Sequence, residues 1–294
     1  MKTLADRRNA IKTLTVIFVL VTVMFAAWFF AEHNQRDELG LKHGHWIEFP
    51  EDEDVLVAKG YYVNGKRHGH WIERLTLLGG VYKGPFVDGK KHGHWVLRDA
   101  NGNVWEGEYV DGRAHGHWVL RGASGTVQEG PVVDGKQHGD WVFRDADGSV
   151  REEGPYVDGK KHGHWVEPLT PFNSPYLGSG MSEGPYVGGI KDGHWVGQYA
   201  SGKVYEGPYV DGIKHGYWVE PLGIGGMSEG PYVGGIKHGH WVEELTILSS
   251  PYMGSRGMSE GPYVGGKRHG KWIVRKPDGT EKTVNWRNGK IVDE

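Results

Sequence analysis

Gly154–Val166, GPYVDGKKHGHWV, decides the fold, because it returns in recognisable form along almost the whole chain after residue 40. It holds a Gly-Pro-aromatic-Val strand, an Asp-Gly turn, a basic pair, and His162-Gly163-His164-Trp165 opening a second strand. Asp-Gly between two β-prone runs is a short-range hairpin signal. Each copy therefore reads as one β-hairpin.

The tryptophan of the motif recurs at Trp46, Trp71, Trp95, Trp118, Trp141, Trp165, Trp195, Trp218, Trp241 and Trp272. Most intervals are 23 or 24 residues, which is one hairpin. The long intervals contain two related insertions, Pro168–Ser182 (PLTPFNSPYLGSGMS) and Glu244–Ser259 (ELTILSSPYMGSRGMS). A glycine precedes the first strand in nine copies, and the Gly of His-Gly is present in all ten. Glycine fixed in register marks positive φ or a close backbone approach. Proline follows the first glycine in seven copies, and without an amide donor it is expected at the start of the strand.

Period two along a strand puts Trp165 and Val166 on opposite faces, and Tyr156 and Val157 likewise. Both faces then carry apolar ladders, so the sheet is expected to curl, close or have one face covered. Isolated hairpins are marginal in water, so neighbours must stack. Ten copies of two strands, each about 4.8 Å wide, extend roughly 95 Å if uncurled.

Composition agrees. The 294 residues include 49 Gly, 13 Trp and 14 Tyr, which suits a turn-dense all-β chain. There is no Cys, which excludes disulfides and thiolate metal sites. From residue 32 onward there are 30 basic and 36 acidic residues. A mildly acidic body lacks the basic stripe that drives nonspecific nucleic-acid binding, so no nucleic-acid partner is expected.

Thr13–Ala31 holds 19 residues without a charge, enough at about 1.5 Å per residue to cross a hydrocarbon layer of about 30 Å. The competing reading is a cleaved signal peptide, which has a shorter apolar core and a small-x-small site. No such site stands near the end of the run, which favours an uncleaved anchor. Lys2, Arg7, Arg8 and Lys12 precede it, so the positive-inside bias puts the N-terminus in the cytoplasm and the repeats outside, in the periplasm if the cell has two membranes. The expected organisation is a cytoplasmic segment 1–12, a transmembrane anchor 13–31, a linker 32–42, hairpin repeats 43–279 and a capping hairpin 280–294.

Val204–Trp218, VYEGPYVDGIKHGYW, resembles the MORN repeat: Tyr205, Glu206, Gly207, Tyr209, Gly212, Lys214, His215 and Gly216 match its signature. The Gly-x-Trp ending is similar to the bacterial variant of YwqK-type repeats. The resemblance covers Gly40 to about Lys290. It implies an elongated antiparallel hairpin array used as a scaffold, a protein-binding surface or a lipid-associating module, with no catalytic residues.

His-Gly-His invites a metal reading, but two ligands do not close a tetrahedral site, and the next repeat's histidines lie about 9.6 Å away. No metal or other cofactor is expected. The first histidine reads as bracing the turn and the second as facing solvent. The glutamates Glu106, Glu129, Glu153, Glu183, Glu206, Glu229 and Glu260 are expected to pair with Lys161, Lys191, Lys214 and their equivalents. An enzyme needs one asymmetric cluster with distinct roles, whereas nearly every candidate acid or base here recurs at the repeat period. Catalysis is not expected.

The leading expectation is a membrane-anchored, non-catalytic scaffold that binds another protein. The insertions carry its candidate partner-binding residues Phe172, Tyr176, Leu177, Met181, Leu248, Tyr252, Met253, Arg256 and Met258, since loops inserted in a solenoid often bind. Glycan or peptidoglycan binding through Trp and Tyr ladders is the first alternative, and an immunity or antitoxin-type protein the second.

Overall fold

A computed structural model describes residues 21–22, 24, 34–49, 55–75, 79–169, 178–222, 226–245 and 257–292. Among these described residues there are twenty-nine strands, and every pairing given by their register is antiparallel. The chain divides into two units, Met1–Ser124 and Gly125–Glu294. The expected anchor, 13–31, lies outside the described residues except for Val21, Thr22 and Met24, which are helical. Among the described residues no helix is long and apolar enough to cross a membrane.

One repeat explains the rest. Val150–Val157 turns at Asp158-Gly159, where φ is 50° and 79°; positive values at both positions define the type I′ turn, whose twist matches the flanking strands. Beyond the turn Tyr156 pairs with Lys161, yet further along Glu153 pairs with Val166. Four residues, His162–Trp165, therefore stand opposite two, Gly154 and Pro155. This bulge is centred on Gly163, whose φ of 75° suits glycine.

The bulge corrects the expectation for proline. Pro155 is the sixth residue of its strand rather than its start. Its nitrogen points to the side where the ladder is already interrupted, so no hydrogen bond is lost. Its carbonyl accepts from the backbone N–H of His162 at 2.9 Å and from Trp165 Nε1–H at 2.8 Å. The same indole bond forms at Trp71, Trp95, Trp118, Trp141, Trp195, Trp218, Trp241 and Trp272, each to the carbonyl ten residues earlier.

The indole explains the invariant first glycine. A Cβ on Gly184 would stand 2.5 Å from the Trp195 ring, and one on Gly60 only 2.2 Å from Trp71. Each of the nine repeat tryptophans from Trp71 to Trp272 thus lies over the glycine of its own hairpin. Neighbouring repeats join through the ladder Gly163–Leu169 with Gly180–Val187, and through the turn, where Gly189 N–H donates to Lys161 O at 2.8 Å.

The insertions are partly strand. Leu169 pairs with Gly180, and Glu244 with Met258, so regular pairing runs into both stretches before the chain leaves the described residues. At the C-terminus, Glu281–Arg287 and Lys290–Ile291 form the last hairpin, turning at Asn288-Gly289.

Candidate functional site

The two faces of the sheet differ in what they leave accessible. On the tryptophan face, Trp71 and Trp95 in the first unit, and Trp165, Trp195, Trp218, Trp241 and Trp272 in the second, are fully buried. Rings alternate edge to face: Trp165 to Tyr186 at 6.2 Å, Tyr186 to Trp195 at 5.3 Å, Trp195 to Tyr209 at 6.4 Å and Tyr209 to Trp218 at 4.9 Å. In the first unit Tyr62, Phe86 and Tyr109 play the tyrosine part. Such pairs contribute about 0.5–1.5 kcal/mol each beyond burial.

Cations roof the rings. Lys191 Nζ sits 3.6 Å from the Trp195 centroid, Lys237 3.8 Å from Trp241, and Arg67 and Arg268 4.3 Å from Trp71 and Trp272. The tyrosine pairing dictates this placement: Lys161 stands opposite Tyr156, so both point to the aromatic face. Of the expected ways to keep an apolar face from water, covering is the one seen among the described residues, and the cover comes from the repeat itself. The aromatic face is covered by its own lysine and arginine stems, whose apolar length shields the rings.

Glutamates two residues after the tryptophan fasten this roof. Glu167 accepts from Lys161 at 3.0 Å, from Lys191 of the next repeat at 2.7 Å and from the Tyr186 hydroxyl at 2.9 Å. Glu220 does the same with Lys214 at 2.5 Å, Lys237 at 3.4 Å and Tyr232 at 2.8 Å. Glu243, with its side chain 2% exposed, holds Arg268, Lys237 at 3.6 Å and Tyr263 at 2.8 Å. Burial pushes the Glu167 and Glu220 carboxyls up, but the surrounding lysines outweigh it and hold both below the ordinary range. Burial, with the charge and hydrogen bond of Glu243, pushes the Tyr263 hydroxyl up to about 12.

These bridging glutamates escaped the reading of the sequence, although Trp-x-Glu at 46/48, 71/73, 165/167, 218/220 and 241/243 was a usable signal. The glutamates expected to pair with the turn lysines lie instead on the opposite face. Glu183 is opposite Val166 and contacts His164 at 3.3 Å; Glu106 contacts Arg121 at 3.2 Å, and Glu260 contacts Arg275 at 2.9 Å. The second-position histidines His94, His164 and His240 are exposed on this face, whereas Nδ1 of the first-position His162 lies 3.5 Å from the N–H of Gly188 in the next turn.

Among the described residues of this opposite face, apolar side chains stay open to solvent. Val187, Ile190, Val210, Ile213, Val233, Ile236 and Val264 are each 48–53% exposed. Of the candidate loop residues, Met181 and Met258 lie on the same face, 38% and 42% exposed. Phe172, Tyr176, Leu177, Leu248, Tyr252, Met253 and Arg256 lie outside the described residues. In the first unit a cleft lined by Lys42, Trp46, Ile47, Glu48, Phe49 and Arg67 encloses about 330 Å³. Its charged members belong to the same kind of bridge, Glu48 accepting from Lys42 and, at 2.8 Å, from Arg67. Among the described residues no group of three or more His, Asp or Glu is arranged to hold a metal ion.

No family model matches the chain, and comparison with curated proteins yields no match either.

Proposed function

We propose that this protein is a membrane-anchored, non-catalytic scaffold of MORN-like hairpin repeats that binds another protein outside the cytoplasm. The observation that carries the reading is the division of labour between the faces. Lysines, glutamates and tyrosines that recur with the repeat bind one another across the aromatic face, and valine, isoleucine and methionine are left exposed on the other. The burial of the tryptophans favours a protein partner over a glycan, because a sugar ring stacking on Trp195 would first have to displace Lys191. The charged stretch before Thr13 and the apolar run after it support the anchor and its orientation.

Cross-linking and pull-down of the full chain from its native membrane tests the function. A captured protein is expected, and deletion of 170–177 together with 246–256 lowers its yield while the far-UV circular dichroism stays unchanged. Capture that ignores the deletion contradicts the assignment to the inserted loops, and absence of any cross-linked protein contradicts the scaffold. A periplasmic reporter fused after Glu294 is expected to be active; activity of a cytoplasmic reporter there contradicts the orientation.

A further inference from the structure

In most repeats the residue after the turn glycine is basic, as at Lys66, Lys90, Arg113, Lys136 and Lys160, and again at Lys267 and Lys290. In three successive repeats it is Ile190, Ile213 and Ile236. Two of those turns, at Gly188-Gly189 and Gly234-Gly235, also have glycine where most repeats have aspartate or asparagine, a change shared by the next turn, Gly265-Gly266. Both changes strip charge from one edge of one face. The turn itself does not require them: Asp158 adopts a φ of 50° where Gly188 has 59°, and no atom lies within 4 Å of a Cβ on Gly188.

The three isoleucines pair with Val187, Val210 and Val233, so six half-exposed β-branched side chains form a stripe running across the strands. Four residues down the same strands, about 13 Å away, stand Glu183, Glu206 and Glu229. The lysines of this stretch are engaged elsewhere. Lys191, Lys214 and Lys237 lie over tryptophan rings on the other face, and Lys203 donates to Gly226 O at 3.2 Å. The open face here is apolar along one line and acidic along a parallel one.

We infer that this stripe docks a basic amphipathic helix of a partner protein, lying across the strands. The inference rests on the protein-binding reading and specifies its site and the partner's chemistry. Successive isoleucines are two strands apart, about 9.6 Å, while residues seven apart on an α-helix are about 10.5 Å apart on one face. Apolar residues at i, i+7 and i+14 therefore meet the three isoleucines nearly in register. A helix about 10–12 Å across, with Lys or Arg along its flank, also reaches the glutamate line. Glu183 already contacts His164 and Glu229 accepts from the Tyr217 hydroxyl, yet Lys191, Lys214 and Lys237 stay on the other face, so a basic flank supplies the countercharge whereas an acidic helix would meet like charge.

The test uses the full chain and two labelled peptides of about 20 residues with the same amphipathic leucine pattern, one with Lys and one with Glu on the flank. Fluorescence anisotropy is expected to show binding of the lysine peptide that weakens as salt rises, and none of the glutamate peptide. Substituting Ile190→Lys, Ile213→Lys and Ile236→Lys together restores the residue type of the flanking repeats. It is expected to weaken binding by about tenfold or more with tryptophan fluorescence unchanged, whereas Ile→Val at the same positions retains it. Lack of binding to the lysine peptide, equal binding of both peptides, or an unaffected triple variant each overturns the inference. Sedimentation revealing a dimer that the triple variant dissolves would also overturn it, by showing that a second copy occupies the stripe. The peptide assay and the pull-down are independent, so failure of the stripe is separable from failure of the scaffold reading.

Discussion

Replacing Gly184 by Ala adds one methyl group directly beneath the Trp195 ring. The new Cβ stands 2.5 Å from Cδ2 of Trp195, and the backbone at Gly184 does not require positive φ, so the effect is steric alone. Trp195 is fully buried and cannot recede without disturbing its bond to Pro185 O at 3.0 Å and its contacts with Tyr186 and Tyr209. Overpacking of this kind costs about 1–3 kcal/mol, and a weakened indole hydrogen bond adds about 1 kcal/mol. The loss of chain entropy in the unfolded state on going from Gly to Ala offsets about 0.4–1 kcal/mol. The net expectation is a destabilisation of about 1–3.5 kcal/mol. Gly188→Asp is the control, at a turn where Asp is accommodated in other repeats, and should stay within about 0.5 kcal/mol. Urea unfolding followed by tryptophan fluorescence and far-UV circular dichroism separates local loosening of one repeat from loss of the whole array. In a Trp195→Leu background the added methyl should cost much less, since the ring it strikes is gone. A Gly184→Ala chain as stable as the parent, or an equal cost in both backgrounds, refutes the tryptophan-over-glycine lock.

The bridging glutamates make stability fall in acid. The folded carboxyls of Glu48, Glu167 and Glu220 titrate below their unfolded values, so their contribution is complete above the unfolded pKa of about 4.3 and is lost as pH drops through the lower folded values. The urea midpoint should decline steadily below about pH 4.5, and a midpoint flat down to pH ~2.5 contradicts the ladder. Glu243→Ala leaves Arg268 largely buried over Trp272 without its carboxylate and should cost about 2–3 kcal/mol, measured by the same unfolding; a change under about 0.5 kcal/mol contradicts the bridge.

Much of this was legible because the repeat compares its own copies. Trp165, Gly154 and Asp158-Gly159 are what a twisted hairpin with one large ring needs, and the structure uses each for that purpose. The position of Pro155 was misjudged because proline was weighed as a missing donor, without the bulge at His162-Gly163 that makes the donor unnecessary. The pairing of Glu183 with the turn lysines was misjudged because register across the turn was not carried through. Tyr156 opposite Lys161 places the second residue after each turn, such as Lys161, Lys191 and Lys214, on the aromatic face, and period two then places Glu153 and Glu183 on the other. How the aromatic face avoids water was not legible. Strand alternation says which side a lysine takes, but not that the Lys191 ammonium will sit 3.6 Å from an indole centroid. In the candidate site, Met181 and Met258 share a face with Ile190 and Ile213, a juxtaposition that follows from pairing rather than from sequence distance.

The division into a closed aromatic face and an open aliphatic one is measured directly by carbene footprinting of the intact chain, read residue by residue by mass spectrometry. Ile190, Ile213, Ile236, Met181 and Met258 are expected to be labelled strongly and Trp195, Trp218 and Trp241 hardly at all. Strong labelling of the tryptophans with protection of the isoleucines would contradict it.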